Sequence, residues 1–125
     1  MKENPVGWFE LYVKDLDRAK RFYEAVFETQ LQKLDSPTPE LEMLAFPMST
    51  ESVGAPGALV KANGPSPGGF GTLVYFSCED CEVEAGRVEA AGGKVDRPKM
   101  SIGQYGFIAL VTDTEGNMIG LHSRS

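Results

Sequence analysis

The apolar positions at the start of the chain alternate and then change to a helical spacing. Residues 7–13 are rich in aromatic and β-branched side chains and predict a strand with one apolar face. The other face of this strand carries Trp8, Glu10 and Tyr12. Asp15 follows as a helix N-cap, and apolar residues recur every three or four positions over the next twelve residues. We therefore predict a helix after Asp15, with its apolar stripe packed on the apolar face of the strand.

The next segment consists of short apolar runs that are separated by proline and glycine. The runs cover residues 29–34, 40–46 and 57–62. Runs of this length between turn residues are typical of strands. The first half of the chain is therefore predicted as β-α-β-β-β.

The second half repeats this order after residues 63–69, a stretch rich in glycine and proline that is predicted as a linker. Asp80 is the second predicted N-cap, and its helix is predicted to end at Gly92 and Gly93. The strands of this half are predicted at residues 73–78, 94–98, 105–112 and 118–123. The repeat predicts one α+β domain over residues 1–125, with modules at about residues 5–62 and 70–123.

Charge and composition exclude several classes of function. The chain has 125 residues, 42% of them hydrophobic, and a net charge of −6. An acidic chain without a basic cluster is unsuited to binding nucleic acid or an anionic membrane. The longest apolar run, residues 107–111, is far below the roughly 20 residues that span a bilayer. Because residues 1–5 also lack the apolar stretch of a signal peptide, we expect a cytoplasmic protein.

Three features together resemble the vicinal oxygen chelate superfamily, which includes glyoxalase I, bleomycin-resistance proteins and extradiol dioxygenases. They are the opening strand and helix at residues 8–23, the internal repeat, and the ending Asp-Thr-Glu-Gly-Asn-Met-Ile-Gly-Leu-His-Ser at residues 113–123. The resemblance implies two modules whose curved mixed sheets form a cup, with the helices packed outside. It also implies a small organic ligand inside the cup. A reaction does not follow from the resemblance, because one fold hosts many chemistries.

The resemblance also implies the loss of the metal site that many members use. The first-strand ligand position is Trp8, the position that opens the second module is Leu73, and the last-strand position is Gly120. The fourth-strand position falls near Gly57 or Ala58. None of these side chains can coordinate a metal, so we expect no metal and no cofactor.

Glu10 and His122 are the candidate catalytic residues. Each lies two positions beyond a lost ligand position, so strand alternation turns each toward the same face as that position. A carboxylate next to an imidazole can act as an acid/base pair, although it can equally form a structural hydrogen bond. A shifted Mg²⁺ or Mn²⁺ site that adds Glu40 or Glu42 is a further alternative.

The remaining candidates are aromatic and apolar residues that would line a ligand pocket. The predicted substrate-binding residues are Trp8, Tyr12, Leu73, Tyr75, Tyr105 and Met118. They support two hypotheses: a metal-independent lyase, isomerase or hydrolase that uses the Glu10 and His122 pair, and a non-catalytic protein that sequesters a small molecule. A metal-dependent lyase or dioxygenase is the third hypothesis. We also expect a homodimer, because exposed edge strands need covering.

Cys78 and Cys81 form a C-x-x-C spacing between a predicted strand and helix. This spacing also occurs in thiol redox sites. The neighbouring Glu79 and Asp80 disfavour thiolate, so ordinary reduced cysteines are the preferred interpretation.

Overall fold

The computed structural model of the chain describes residues 4–63 and 71–125. Residues 64–69 of the predicted linker lie outside the described residues. The strands are Val6–Tyr12 (β1), Gln32–Leu34 (β2), Leu41–Ala45 (β3), Gly57–Ala62 (β4), Thr72–Ser77 (β5), Lys94–Ser101 (β6), Phe107–Thr112 (β7) and Met118–Ser123 (β8). The helices are Leu16–Phe27 (α1) and Cys81–Val88 (α2), and a 3₁₀ turn covers Gly103–Tyr105.

The chain forms two compact units. The first unit, here called the N-terminal unit, consists of Trp8–Leu73. The second, here called the C-terminal unit, consists of Val74–Ser125 and the segment up to Gly7. The strand order is β2-β3-β4-β1 in the N-terminal unit and β5-β8-β7-β6 in the C-terminal unit. In each unit the first strand pairs in parallel with the last, and the other pairs are antiparallel. The predicted α+β class and its two β-α-β-β-β modules are confirmed.

One face of the N-terminal unit carries the mixed side of β1. Glu10 pairs with Ala58 and Tyr12 with Val60, and Val60 in turn pairs with Met43. Residues directly opposite each other on neighbouring strands share a face, so these side chains lie together. Met43, Ala58 and Val60 form a buried cluster on which Trp8 and Tyr12 pack. We call this surface the Glu10 face.

Helix α1 lies on the other face of the N-terminal unit. The Asp15 carboxylate accepts a hydrogen bond from the backbone N–H of Arg18, as the N-cap prediction requires. Tyr23 packs edge-on against Phe46, with ring centroids 5.6 Å apart, and Phe46 contacts Phe9. The predicted packing of the apolar stripe holds only in part, because Leu16, Ala19 and Tyr23 are half-buried and no α1 residue is fully buried. Three of its large apolar side chains are more than half exposed: Phe22, Val26 and Phe27.

The core of the C-terminal unit lies between α2 and one face of its strands. Cys81, Ala85, Ala109, Val111 and Leu121 form the buried cluster. The opposite face of these strands carries Tyr75, Gly120 and His122, which alternate with the residues of that core.

Two predictions in this unit are wrong at element ends. Helix α2 ends at Val88 rather than at Gly92, because the backbone tightens there and Gly93 N–H donates to the Val88 carbonyl.

Tyr105 lies in the 3₁₀ turn and not in β7, since Gly106 closes that turn at a φ of 103°. A side chain at position 106 would also overlap the backbone of Ser123, so glycine is required there.

Within the described residues, neither helix combines the length and apolar character needed to cross a lipid bilayer.

Candidate functional site

Glu10 is a buried carboxylate in the middle of β1, with 7% of its surface exposed. Its two neighbours on the same face reach it from either side along the strand. The indole Nε1–H of Trp8 donates to Oε2 at 3.1 Å, and the Tyr12 hydroxyl donates to Oε1 at 2.7 Å. Strand alternation creates this arrangement, because residues two positions apart project from the same face. The result is a carboxylate held between two aromatic donors.

These contacts satisfy both oxygens of Glu10. Both carboxylate oxygens accept a hydrogen bond, and the Trp8 indole can only donate. Hydrogen bonds to a charged acceptor are the stronger kind, and they offset part of the cost of removing the carboxylate from water. The two rings therefore provide a hydrogen-bond partner for each oxygen of the buried carboxyl group.

The strand positions that share the Glu10 face are otherwise uncharged. Strand pairing places eight residues of β2, β3 and β4 on this face: Gln32, Leu34, Leu41, Met43, Ala45, Ala58, Val60 and Ala62. Among the paired positions that the structure describes on this face, Glu10 is thus the single ionisable acid or base apart from the Tyr12 phenol. A buried charge in apolar surroundings is typical of functional sites, although structural networks also contain such charges.

His122 lies on β8 in the C-terminal unit, on the face opposite α2. Its Nε2 is 2.6 Å from the backbone carbonyl of Tyr105. A carbonyl only accepts, so Nε2 carries the proton in this contact, and in the neutral ring Nδ1 is then the acceptor. The Tyr105 backbone therefore orients the imidazole.

The sequence predicted His122 as the partner of Glu10. The structure shows Trp8 and Tyr12 as hydrogen-bond donors to the Glu10 carboxylate. Strand alternation alone could not identify them, because it gives the face of a side chain and not its rotamer. Glu10 belongs to the N-terminal unit and His122 to the C-terminal unit. The acid/base pair itself stays a prediction.

Tyr75 occupies the space above Gly120 in the C-terminal unit. The two residues are paired on β5 and β8, and a Cβ at position 120 would overlap the Tyr75 ring. Tyr75 is buried as a result. The space that a side chain at the last-strand ligand position would need is filled by this ring.

The residues at the family's ligand positions do not fit a metal. Trp8 donates its indole N–H to Glu10, Leu73 is fully buried, and Gly120 has no side chain. Glu10 and Tyr75 are equivalent positions of the repeat, since each lies five residues before its N-cap. Glu10 pairs with Ala58 and Tyr75 pairs with Gly120, so Ala58, rather than Gly57, is the fourth-strand position. In residues 4–63 and 71–125, no three acidic, histidine or cysteine side chains converge on a point that could hold an ion.

The shifted metal site also lacks support from the strand register. Glu42 pairs with Lys61 and adjoins Met43, so it lies on the face opposite Glu10. Glu40 and Glu42 are both exposed. The register therefore separates Glu42 from Glu10, and the shifted metal site stays a prediction.

The other predicted binding residues differ in accessibility. Trp8, Tyr12, Tyr105 and Met118 are half-buried, whereas Leu73 and Tyr75 are buried. Their contact with a ligand stays a prediction.

Sequence reasoning missed a groove of about 410 Å³ at the start of α1. Its lining residues are Val13, Lys14, Asp15, Arg18, Ala19 and Phe22. No motif or residue spacing that the sequence analysis used pointed to this groove.

The C-x-x-C cysteines are free thiols. Burial, followed by the nearby Glu84 carboxylate, raises the pKa of Cys78 to about 11. The Cys78 thiol is therefore protonated at neutral pH, which disfavours thiolate chemistry.

Comparison with known proteins gives the same family as the sequence motifs. Residues 6–121 match the family model of the Glyoxalase/Bleomycin resistance protein/Dioxygenase superfamily. The proteins named "Putative glyoxylase CFP32" from Mycobacterium bovis and Mycobacterium tuberculosis are 26% identical over 122 residues. That match covers 96% of this chain and 46% of each relative, so the chain spans about half the length of these curated relatives.

Solved structures share the fold at low sequence identity. A hypothetical protein, BH1468 from Bacillus halodurans, is 13% identical, with a TM-score of 0.75 over 99% of this chain and 96% of that one. Methylmalonyl-CoA epimerase from Mycobacterium tuberculosis is 15% identical, with a TM-score of 0.69 over 97% of this chain and 88% of that one. The fold, the internal repeat and the family match agree, and the chain belongs to the Glyoxalase/Bleomycin resistance protein/Dioxygenase superfamily.

Proposed function

We propose that this protein binds a small organic molecule at the Glu10 face and that it does so without a metal. The observation that carries the proposal is the buried Glu10 carboxylate between the Trp8 and Tyr12 donors. Ligand sites are usually apolar surfaces with a few placed polar groups, and this face has that composition. The similar fold of a methylmalonyl-CoA epimerase that is described in complex with methylmalonyl-CoA supports a small-molecule ligand as a class.

A ligand screen in the presence of EDTA tests this proposal. The screen uses small cations, anions and neutral molecules, with calorimetry as the readout. We expect at least one class to bind, and Trp8→Ala to weaken its binding by about tenfold or more, since the indole is part of the site. Tyr23→Ala, which removes a ring from the opposite face of the same unit, is the matched control and leaves binding unchanged. Failure of every class to bind, or equal binding by Trp8→Ala, would contradict the proposal.

Metal content gives an independent test. We expect the purified protein to hold far less than one divalent ion per chain, because the ligand positions carry Trp8, Leu73 and Gly120. Elemental analysis that finds about one ion per chain, lost in His122→Ala, would contradict this expectation.

Acid–base catalysis is a second candidate function. The observation that favours it is the oriented His122 ring, whose Nδ1 can accept a proton when Nε2 donates to the Tyr105 carbonyl. A lyase, isomerase or hydrolase that uses Glu10 and His122 would lose turnover in Glu10→Gln while it retains ligand binding. A protein that only sequesters its ligand shows no turnover, with or without the substitution.

We also propose a homodimer. The exposed α1 side chains Phe22, Val26 and Phe27 form an apolar surface that a partner would cover. A second copy of the chain is the occupant that we propose, because an apolar patch can pair with the same patch of a second copy around a twofold axis.

The cytoplasm is the proposed compartment. Cys78 and Cys81 are unpaired thiols, as is usual for proteins in a reducing environment.

A further inference from the structure

The side of α1 that faces solvent carries a short apolar strip. Ala25 and Val26 lie three and four positions after Phe22, so the three side chains share one side of the helix. All three residues are exposed, Phe22 by 59% and Val26 by 55%. Tyr23 lies on another side of the helix, where its ring packs on Phe46. We call Phe22, Ala25 and Val26 the α1 strip.

The charges before and after the α1 strip have opposite signs. Arg21 precedes the strip, and Glu28 follows it as the C-cap of the helix. Both residues are exposed. They lie four positions before and three positions after Ala25, so both border the same edge of the strip. One edge of the α1 strip therefore begins with a positive charge and ends with a negative charge.

The negative charge lies at an unfavourable end of α1. The helix dipole favours basic groups near the C-terminus, where Glu28 lies. The last turn of α1 also contains no basic residue. A positive charge from outside the helix would therefore stabilise this end.

A second copy that runs in the opposite direction would supply this charge. A twofold axis perpendicular to α1 reverses the partner helix and brings the same edges of the two strips together. Suppose that Phe22 lies across from Val26 of the second copy. Arg21 is one position before Phe22 and Glu28 is two positions after Val26, so Arg21 and Glu28 of the second copy differ in height by only about 1.5 Å. A parallel pair would instead place the two copies of Arg21 at the same height.

We propose that the α1 strip binds the α1 strip of a second copy in the antiparallel direction, with Arg21 of each copy beside Glu28 of the other. This inference rests on the proposed homodimer and specifies its interface. The pair covers apolar side chains that are exposed in the single chain. It also places two pairs of opposite charge at its edge, where charges determine the choice and the direction of a partner. A second copy fits better than an unrelated partner, because the strip is complementary to itself in this direction.

Charge reversal tests the antiparallel pair. Arg21→Glu places a glutamate beside Glu28 of the second copy, and we expect the dissociation constant of the dimer to rise by about tenfold or more. Glu28→Arg is expected to weaken the dimer in the same way. Both positions are exposed, so each variant is expected to fold, and circular dichroism checks its helix content. Sedimentation equilibrium measures the dissociation constants.

The double variant Arg21→Glu with Glu28→Arg restores opposite charges in the antiparallel pair. We expect its dissociation constant to return to within about threefold of the unmodified protein. Arg87→Glu reverses an exposed charge on α2 and is the matched control, which is expected to leave the dimer intact. High salt gives a second measurement, because screening should reduce the difference between Arg21→Glu and the double variant.

The outcomes separate this inference from the homodimer itself. If Arg21→Glu dimerises as tightly as the unmodified protein, or if the double variant does not recover, the antiparallel pair is wrong while the homodimer stands. The same conclusion follows if Arg87→Glu weakens the dimer as much as Arg21→Glu. If the unmodified protein is a monomer at micromolar concentration, both proposals are wrong.

Discussion

Single residues determine whether the Glu10 carboxylate can be buried. Removing a carboxylate from water costs several kcal/mol unless hydrogen bonds replace the lost solvent. The Trp8 and Tyr12 donors make that replacement from the same strand. The alternation of the sequence correctly predicted the face of all three side chains. It could not predict their mutual contacts, because several rotamers are compatible with one face.

Tyr12→Phe tests the hydrogen bond that holds Glu10. The substitution keeps the ring and removes the hydroxyl donor, so we expect the free energy of unfolding to fall by about 2 kcal/mol, the usual range for a bond to a charged group. Urea unfolding measures the change. Tyr23→Phe is the control, since its ring packs on Phe46 and no hydrogen bond of its hydroxyl occurs within the described residues. Equal effects of the two substitutions would show that the bond to Glu10 adds no stability.

Gly120→Ala tests whether the Tyr75 ring fills the last-strand ligand position. The added Cβ overlaps the ring, so we expect the free energy of unfolding to fall by about 2 kcal/mol. Tyr75→Ala opens the same space, and the double variant is expected to lose less stability than the sum of the two single losses. Additive losses in urea unfolding would mean that the two positions do not compete for space.

At the scale of elements, local sequence signals predicted the starts of both helices. Asp15 and Asp80 accept hydrogen bonds from the first turns of α1 and α2, as N-caps do. The end of α2 was not predictable from the Gly92 signal, because the chain tightens into a turn four residues earlier. The exposure of α1 was also missed, since a hydrophobic stripe shows that a helix needs a partner without showing which surface covers it.

The Asp80 and Lys99 ion pair links the start of α2 to β6 and should depend on pH. Lys99 Nζ lies 2.8 Å from Asp80 Oδ1, and this contact, together with the backbone N–H of Glu82, lowers the pKa of Asp80 below 3.8. A lowered pKa means that the stabilisation is present above the ordinary value and is lost as the pH falls through the folded-state value.

Asp80→Asn isolates that contribution, because asparagine still caps the helix but carries no charge for an ion pair with Lys99. We expect the unmodified protein to be the more stable of the two near neutral pH, and the difference to disappear well below pH 3.8. Urea midpoints across this range measure it. Asp17→Asn, an exposed acid in the first turn of α1, is the control. A difference that persists in strong acid would assign the effect to something other than the charge of Asp80.

At the scale of the whole molecule, the apolar surface of α1 predicts self-association. Val26 is 55% exposed on this helix, and Val53 is fully exposed outside it. We expect Val26→Lys to convert the proposed dimer into a monomer, because a lysine would have to be buried without a partner, and Val53→Lys to leave the dimer intact. Sedimentation equilibrium distinguishes the two. A monomer before substitution, at micromolar concentration, would contradict the homodimer.

The family and fold follow from features that extend over most of the chain, whereas the ligand depends on a few contacts. The repeat and the closing motif were sufficient to predict two β-α-β-β-β modules. The same motifs placed Trp8 and Gly120 at ligand positions, which indicated a departure from metal chemistry. The Glu10 contacts could not be obtained from the motifs, because they depend on how three side chains of one strand orient in three dimensions.

The indole N–H resonance of Trp8 reports most directly on whether the Glu10 face binds a small molecule without a metal. The chain has one tryptophan, so a nitrogen–proton correlation spectrum contains one such signal, and that N–H donates to Glu10. In metal-free buffer with EDTA, we expect a bound small molecule to shift this signal in a saturable manner. A ligand that binds the protein yet leaves the Trp8 signal in place, or that shifts it only after a divalent metal is added, would contradict the account.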